Sequence, residues 1–486
     1  MKKPLLLILI FIFITNVSIN SQTLCDGTGF AGSYPCSNYD LMATIDVATL
    51  SGSGTAEGSD IWGWTDPTTN KEYALVALTN STAFVDISDP VNPIFLGRLD
   101  TNAGSNFWRD VKVYNNHAFI VADNVGSHGM QVFDLTKLRN VTTPPQTFTA
   151  DAIFSGVTSC HNIVINESSS YAYLVGCNTF SGGPVFVDIS DPKNPVAAGG
   201  YSAEGYTHDA QVITYNGPDA TYSGREILIA SNGNSGGSND IVILDVTDKS
   251  NPTLISKVSY PNARYAHQGW FTEDHQYFIL GDELDEQNIG TNTRTIIFNL
   301  TDLDSPSVSS IHTASHAAID HNGYVKGNEY FMANYRAGLR VFDISNISST
   351  TNPMTEVGYF DTFPNNNNTG FNGAWSIYPY FPSGNIVISD IEQGLFIVRK
   401  SGTLSLPDQA TKTSKFTIYP NPADRAPIIT SNTDIESIEV FNILGKKVYQ
   451  KKNINRKDFV LPINNQAKGI YLVKINNTIG KKLIIK

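Results

Sequence analysis

The chain has 486 residues, 41% of them hydrophobic, and a formal net charge of −12. That is more apolar material than one domain of average size would use. The charge is unevenly spread: residues 401–486 carry 14 Lys+Arg against 6 Asp+Glu, while the first 400 carry 19 against 39. So acidic a body argues against nucleic acid as its partner, because phosphate recognition needs a basic surface.

Lys2 and Lys3 precede an apolar run, Leu5–Ile14, and a polar stretch, Thr15–Ser21, so residues 1–21 read as a signal peptide cleaved after Ser21. The run is too short for a bilayer span, which takes about 20 residues. No later stretch is apolar enough, so the expectation is a secreted or cell-surface protein without a transmembrane span. Export gives the four cysteines a role. Cys25 and Cys36 bracket a Gly/Pro-rich loop, and Cys160 and Cys177 flank two strands paired across the turn at 166–170, so the expected disulfides are Cys25–Cys36 and Cys160–Cys177.

From residue 41 to residue 400 one sentence recurs. A polar or aromatic residue opens a short strand, a tight turn follows, and a return strand ends in a polar loop, as in AHQGWFTEDHQYFILGDELDE (266–286). A second phrase then appears: AFVDISDPVNPIFLGRL (83–99), MQVFDLTKLRNVTTPPQTFTA (130–150), VFVDISDPKNPVAAGGY (185–201) and three more. Each is a β-branched strand ending in Asp or Asn, a turn rich in Ser, Asp, Asn and Pro, and another strand. The Asp of each phrase, such as Asp86 or Asp188, suits turn capping better than chemistry. Strands apolar on both faces need cover on both sides. Four strands per unit at a period of 46–59 residues describe a β-propeller. The openings Trp62, Trp108, His161, His208, His267, His321 and Trp375 count seven blades. The seventh lacks an outer strand, and residues 41–47 (LMATIDV) are expected to supply it, closing residues 22–400 into a ring.

Residues 401–414 are polar and read as a linker. Residues 415–486 alternate apolar positions with turn signals and predict a small β-sandwich. There YPNPA (419–423), VFNILGKKV (440–448), GIYLVKI (469–475) and the Lys-rich ending resemble the C-terminal sorting domain of the type IX secretion system of Bacteroidota. The resemblance implies an address read by the secretion machinery and generally cleaved. The VDIS-DP-NP phrase resembles the LVIVD repeat. GFAGSYPCSNYDLM, HQGWFTEDHQYFILGDELDE and ANYRAGLRVFDIS resemble the choice-of-anchor B family of surface proteins. That family's name implies no defined reaction. The fold class expected is therefore all-β: a seven-bladed β-propeller followed by a β-sandwich sorting domain.

The strand openings and the loops after the return strands fall on one face, where function usually sits. They gather Trp108, Arg109, Asp110, Asp209, Asp282 and Glu283, the candidate binding residues. His161, His208, His267 and His321 open consecutive blades at intervals of 47, 59 and 54 residues. Converging imidazoles suit a transition metal with carboxylates behind them. In the alternative reading each imidazole hydrogen-bonds the backbone of a neighbouring blade and keeps the channel mouth polar. The acidic tip at 282–286 offers oxygens to calcium, or is a solvated loop. No nucleophile elbow, phosphate loop or Ser-His-Asp signature is present. Two function classes follow: a propeller that binds an extracellular glycan, peptide or protein, and a metal-dependent oxidoreductase or hydrolase built on the histidines.

Overall fold

The structure is a computed structural model that describes residues 22–234, 239–402, 416–442, 446–462, 467–476 and 481–486. The expected signal peptide at 1–21 and most of the expected linker lie outside these residues. The described residues fall into two compact units, and no helix among them is long and apolar enough to cross a membrane.

The first unit is a ring of seven sheets, antiparallel except where Gln146–Phe148 runs parallel to Ile94–Asp100. Blade 3 shows the plan: Asn162–Asn166, Tyr171–Val175, Val185–Asp188 and Val196–Gly200 pair in sequence order from the axis outward. Innermost strands pack against those of the next blade all the way round, and Ala374–Tyr378 of blade 7 meets Gly58–Thr65 of blade 1. Both faces of each sheet are therefore covered. Second strands such as Glu72–Leu78 and Tyr277–Asp282 are buried at every residue, and the core is a set of apolar layers between blades. The Asp that closes the third strand of blades 1, 3, 4 and 6 caps a turn: Asp86, Asp188, Asp245 and Asp343 each accept the N–H two residues on. Between third and fourth strands the register slips at the same step in blades 1, 3, 4, 5 and 6. Such a bulge increases local twist.

Three departures from regularity concern the edges. The outer strand of blade 7 is Tyr39–Ile45, antiparallel to Gly394–Lys400. It ends earlier than the expected 41–47 stretch because Asp46 caps a short helix, Val47–Ser51. The loop closed by the Cys25–Cys36 disulfide forms a hairpin whose strand Tyr34–Ser37 extends blade 6. In blade 2 the chain crosses to its neighbour: Gln146–Phe148 pairs with the outer strand of blade 1, and Ala152–Phe154 returns to complete blade 2.

The second unit has five strands, Phe416–Tyr419, Ile428–Asn442, Lys447–Val460, Gly469–Ile475 and Lys481–Ile485, around Ile435, Ile438, Val440, Val473 and Leu483. Phe416–Tyr419, Ile428–Asn442, Gly469–Ile475 and Lys481–Ile485 pair in that order, and Lys447–Val460 pairs off this path with Ile428–Asn442, which thus has three partners.

Candidate functional site

Each innermost strand begins by placing one residue at the axis and a polar residue directly after it. The axial residue can hydrogen-bond the same position of the next blade. Ser59 Oγ donates to Arg109 O (2.9 Å), His208 Nδ1 to His267 O (3.0 Å) and His321 Nδ1 to Trp375 O (2.5 Å). This register makes the axial set Ser59, Arg109, His161, His208, His267, His321 and Trp375. Trp62 and Trp108, expected as openings, are displaced. Trp62 lies three residues further along its strand, because a bulge between Gly58 and Ile61 absorbs Ser59 and Asp60. Trp108 precedes the axial Arg109.

Around the axis the rings form a closed circle. Imidazole centroids are 4.4 Å apart for His161–His208 and 4.2 Å apart for both His208–His267 and His267–His321. His321 continues to Trp375 (4.7 Å), and His161 to Trp108 (6.2 Å). Blade 1 offers only a serine, and Phe107 spans that gap, 4.8 Å from Trp108 and 5.7 Å from Trp375. The four histidines line one small cavity with Trp108 and Trp375.

The electrostatics favour neutral imidazoles. Burial holds His208 and His267 well below the ordinary histidine range and His321 down to about 3. Three rings have Nδ1 engaged: His208 and His321 by carbonyls, His161 by the Asp123 carboxylate at 3.0 Å. In His208 and His321 the proton therefore sits on Nδ1 and the Nε2 lone pair is free, the arrangement in which histidine binds metals. The Nδ1 of His267 is buried and has no partner among the described residues.

Glu283 completes the arrangement. Its Oε2 lies 3.8 Å from His267 Nε2 and its Oε1 3.8 Å from His321 Nε2. Tyr335 Oη donates to Oε1 at 2.9 Å and fixes the carboxylate. Burial raises the Glu283 carboxyl to about 7. A separation of 3.8 Å is too long for a hydrogen bond. It suits two ligands of one ion, since atoms each ~2.1 Å from a metal lie about 3–4 Å apart. One ligand atom from each of His267, Glu283 and His321 falls within 4.8 Å of the others.

Arg109 is buried and lines the same cavity, with its guanidinium bonded to Thr101 and His128. His128 is fully buried. The other candidates lie elsewhere. Asp110 and Asp209 belong to the polar layer beneath the histidines. There Lys112 Nζ donates to Asp110 (2.5 Å) and Asp60 (2.9 Å), Asp110 Oδ2 accepts from Ile163 N, and burial raises Asp209 to about 7. Asp282 is fully buried and accepts from Tyr260 Oη and the N–H groups of Arg264 and Tyr265. The tip after it folds inward as the short helix Asp285–Ile289. Asp285 pairs with Arg294, and Glu286 is pushed up to about 11 by burial and by Asp320 and Asp285. The tip is thus not a solvated loop, and both carboxylate oxygens of Glu286 are buried with no hydrogen-bond partner among the described residues. Cys160–Cys177 is formed and anchors the chain directly before His161. Lys112 and Phe107 were not singled out from the sequence. A lysine within an apolar innermost strand, two residues after Asp110 and so on the same face, is a signal that could have found the first.

Comparison with known proteins agrees with this architecture. LVIVD repeats match residues 70–101, 165–203, 236–259 and 324–362, and a secretion system C-terminal sorting domain matches 417–486. The sorting domain indicates export by the type IX system to the cell surface or beyond. No curated protein matches the chain. Similar solved structures include PorZ, an essential bacterial surface component of the type-IX secretion system of Porphyromonas gingivalis (13% identity, TM-score 0.43, covering 86% of this chain and 58% of that one). This chain thus spans little more than half of PorZ. Others are the β-propeller domain of Cps50 (Swd1) from Myceliophteria thermophila (9%, 0.46, 74% and 99%) and a putative 6-phosphogluconolactonase from Bacteroides uniformis (15%, 0.44, 62% and 87%). These scores carry no argument about activity.

Proposed function

We propose that this is a surface protein of the choice-of-anchor B type, delivered by a signal peptide and the sorting domain, whose propeller binds a divalent transition metal at its axial mouth. His267, His321 and Glu283 are the ligands, with His208 and His161 beside them. The observation that carries the reading is the position of Glu283, 3.8 Å from the Nε2 atoms of two imidazoles. Nitrogen and carboxylate donors together suit zinc, iron or copper. Three protein ligands leave coordination positions open, as in catalytic rather than closed structural zinc sites. That favours a second reading, in which the bound ion performs hydrolysis or oxidation; otherwise the ion organises the mouth for an extracellular glycan, peptide or protein.

Elemental analysis of the natively purified full chain tests the site. The expected result is about one equivalent of metal, falling at least tenfold in Glu283→Gln and His321→Ala proteins that keep the wild-type circular dichroism. Metal-free wild type that takes up neither zinc nor iron on reconstitution would sink the proposal.

The ring is taken as a folding unit of residues 22–400, with 401–414 a linker and 415–486 an address dispensable for folding. Residues 22–400 expressed alone are expected to unfold cooperatively. Aggregation of that piece, while the full chain stays soluble, would move the boundary.

A further inference from the structure

The channel has a second end. Three or four residues along each strand from the axial position, about 10–13 Å at strand rise, the innermost strands of blades 1–5 frame another cavity. Its volume of about 80 Å³ takes one compact head group rather than a drug-sized ligand. Its two walls differ. One is aliphatic, made by Val113, Val164, Ile165 and Val212. The other is aromatic: Trp62 and Trp270 stand edge-on to Tyr324 at 5.8 and 5.0 Å, and Tyr378 packs 5.0 Å from Trp62.

Charge narrows what fits. Lys112 Nζ sits 4.6 Å from the centre of the Trp62 ring, so this wall already accommodates one cation. That ammonium is held by Asp60 and Asp110 and offers no net charge to an anion. At the rim Glu167 lines the same cavity, on the turn after Asn162–Asn166. Its side chain is exposed, and no hydrogen bond or ion pair to its carboxylate occurs among the described residues.

The geometry points to this far cavity as a binding site for a weakly hydrated organic cation on a short apolar stem, with its head against Trp270 and Trp62 and its charge facing Glu167. Two sources share that chemistry: a free quaternary amine, and the side-chain end of a lysine or arginine in a peptide. The site is independent of the metal proposal, because no residue is shared with the histidine mouth.

Tryptophan fluorescence and calorimetry of the full chain with choline test it, with 3,3-dimethylbutanol as the uncharged isostere. Choline is expected to saturate, and the isostere to bind about tenfold more weakly. Glu167→Gln, an exposed change that spares the core, should weaken choline about fivefold or more, and Trp270→Leu should do the same. His267→Ala should leave choline binding unchanged. Tighter binding of Nα-acetyl-lysine methylamide than of choline would assign the site to a peptide side chain. Failure of all these cations to bind, or equal binding of the uncharged isostere, would overturn the proposal.

Discussion

Blades 3 to 6 and blades 7, 1 and 2 present the same backbone slot to the axis and fill it differently. The first group fills it with imidazole; the second uses Trp375, Ser59 and Arg109. In blade 1 the Ser59 hydroxyl reaches the carbonyl of the next blade, the bond that His208 and His321 also make. A serine therefore suffices to seal one blade to the next. In His208 and His321 the second ring nitrogen goes beyond what the seal requires, and the Nε2 atoms of His267 and His321 face Glu283. Structure accounts for the residue in one sector and leaves an unspent ligand in the other.

The largest break in this contrast is expected from Lys112→Met, in the sector without histidines. It leaves Asp60 and Asp110 buried without their cation, and removing one partner of a buried ion pair costs about 3–5 kcal/mol. Urea unfolding measures this; a loss below about 1 kcal/mol would mean that the polar layer is no electrostatic hub.

Next in size is an acid effect at the displaced arginine. His128 accepts from Arg109, and burial with that guanidinium pushes it down to about 4. Unfolded histidine titrates near 6.5, so between these values the unfolded chain binds the extra proton. Stability is full above about pH 6.5 and falls towards pH 4, by about 3 kcal/mol in all. The expected outcome is that His128→Asn lacks this component. Wild type and variant curves that run parallel from pH 7 to 4 would exclude it.

The smallest change sharpens the contrast most. His321→Ser gives blade 6 the residue that blade 1 uses. It should cost about 1–3 kcal/mol and abolish metal uptake, whereas Ser59→Ala should cost about 1 kcal/mol with metal content unchanged. If both variants keep their metal, the histidine sector is a seal like the other.

Much of the ring was legible because its signals are local. The VDIS-DP-NP phrase carries its own strand, cap and turn, so each copy marks a blade whatever the spacing between copies. The histidines were legible for the same reason, since a strand opening fixes the slot even at unequal intervals. What escaped depends on a single residue of register or on distant chain. Ser59 gives no signal beside the larger Trp62, and the bulge before Ile61 decides between them. Asp282 and Glu283 look equivalent in sequence, yet one turns into the blade and the other to the axis at the end of a strand. Nothing near Gln146–Phe148 shows that it pairs with blade 1, because its partner belongs to another repeat.

The strand Tyr39–Ile45 ends the last blade from the other end of the ring, and Ser401 Oγ reaches Asp40 across 361 residues of sequence. The ring thus has a seam at which two neighbouring strands are held by hydrogen bonds with no connecting turn. Where the ends of a fold lie side by side, joining them and reopening the chain elsewhere is well tolerated. A version rejoined from Lys400 to Tyr39 and reopened between any two blades would hold the seven blades, without the strand Tyr34–Ser37 that extends blade 6. It would move the starting point of the polypeptide without moving the axis.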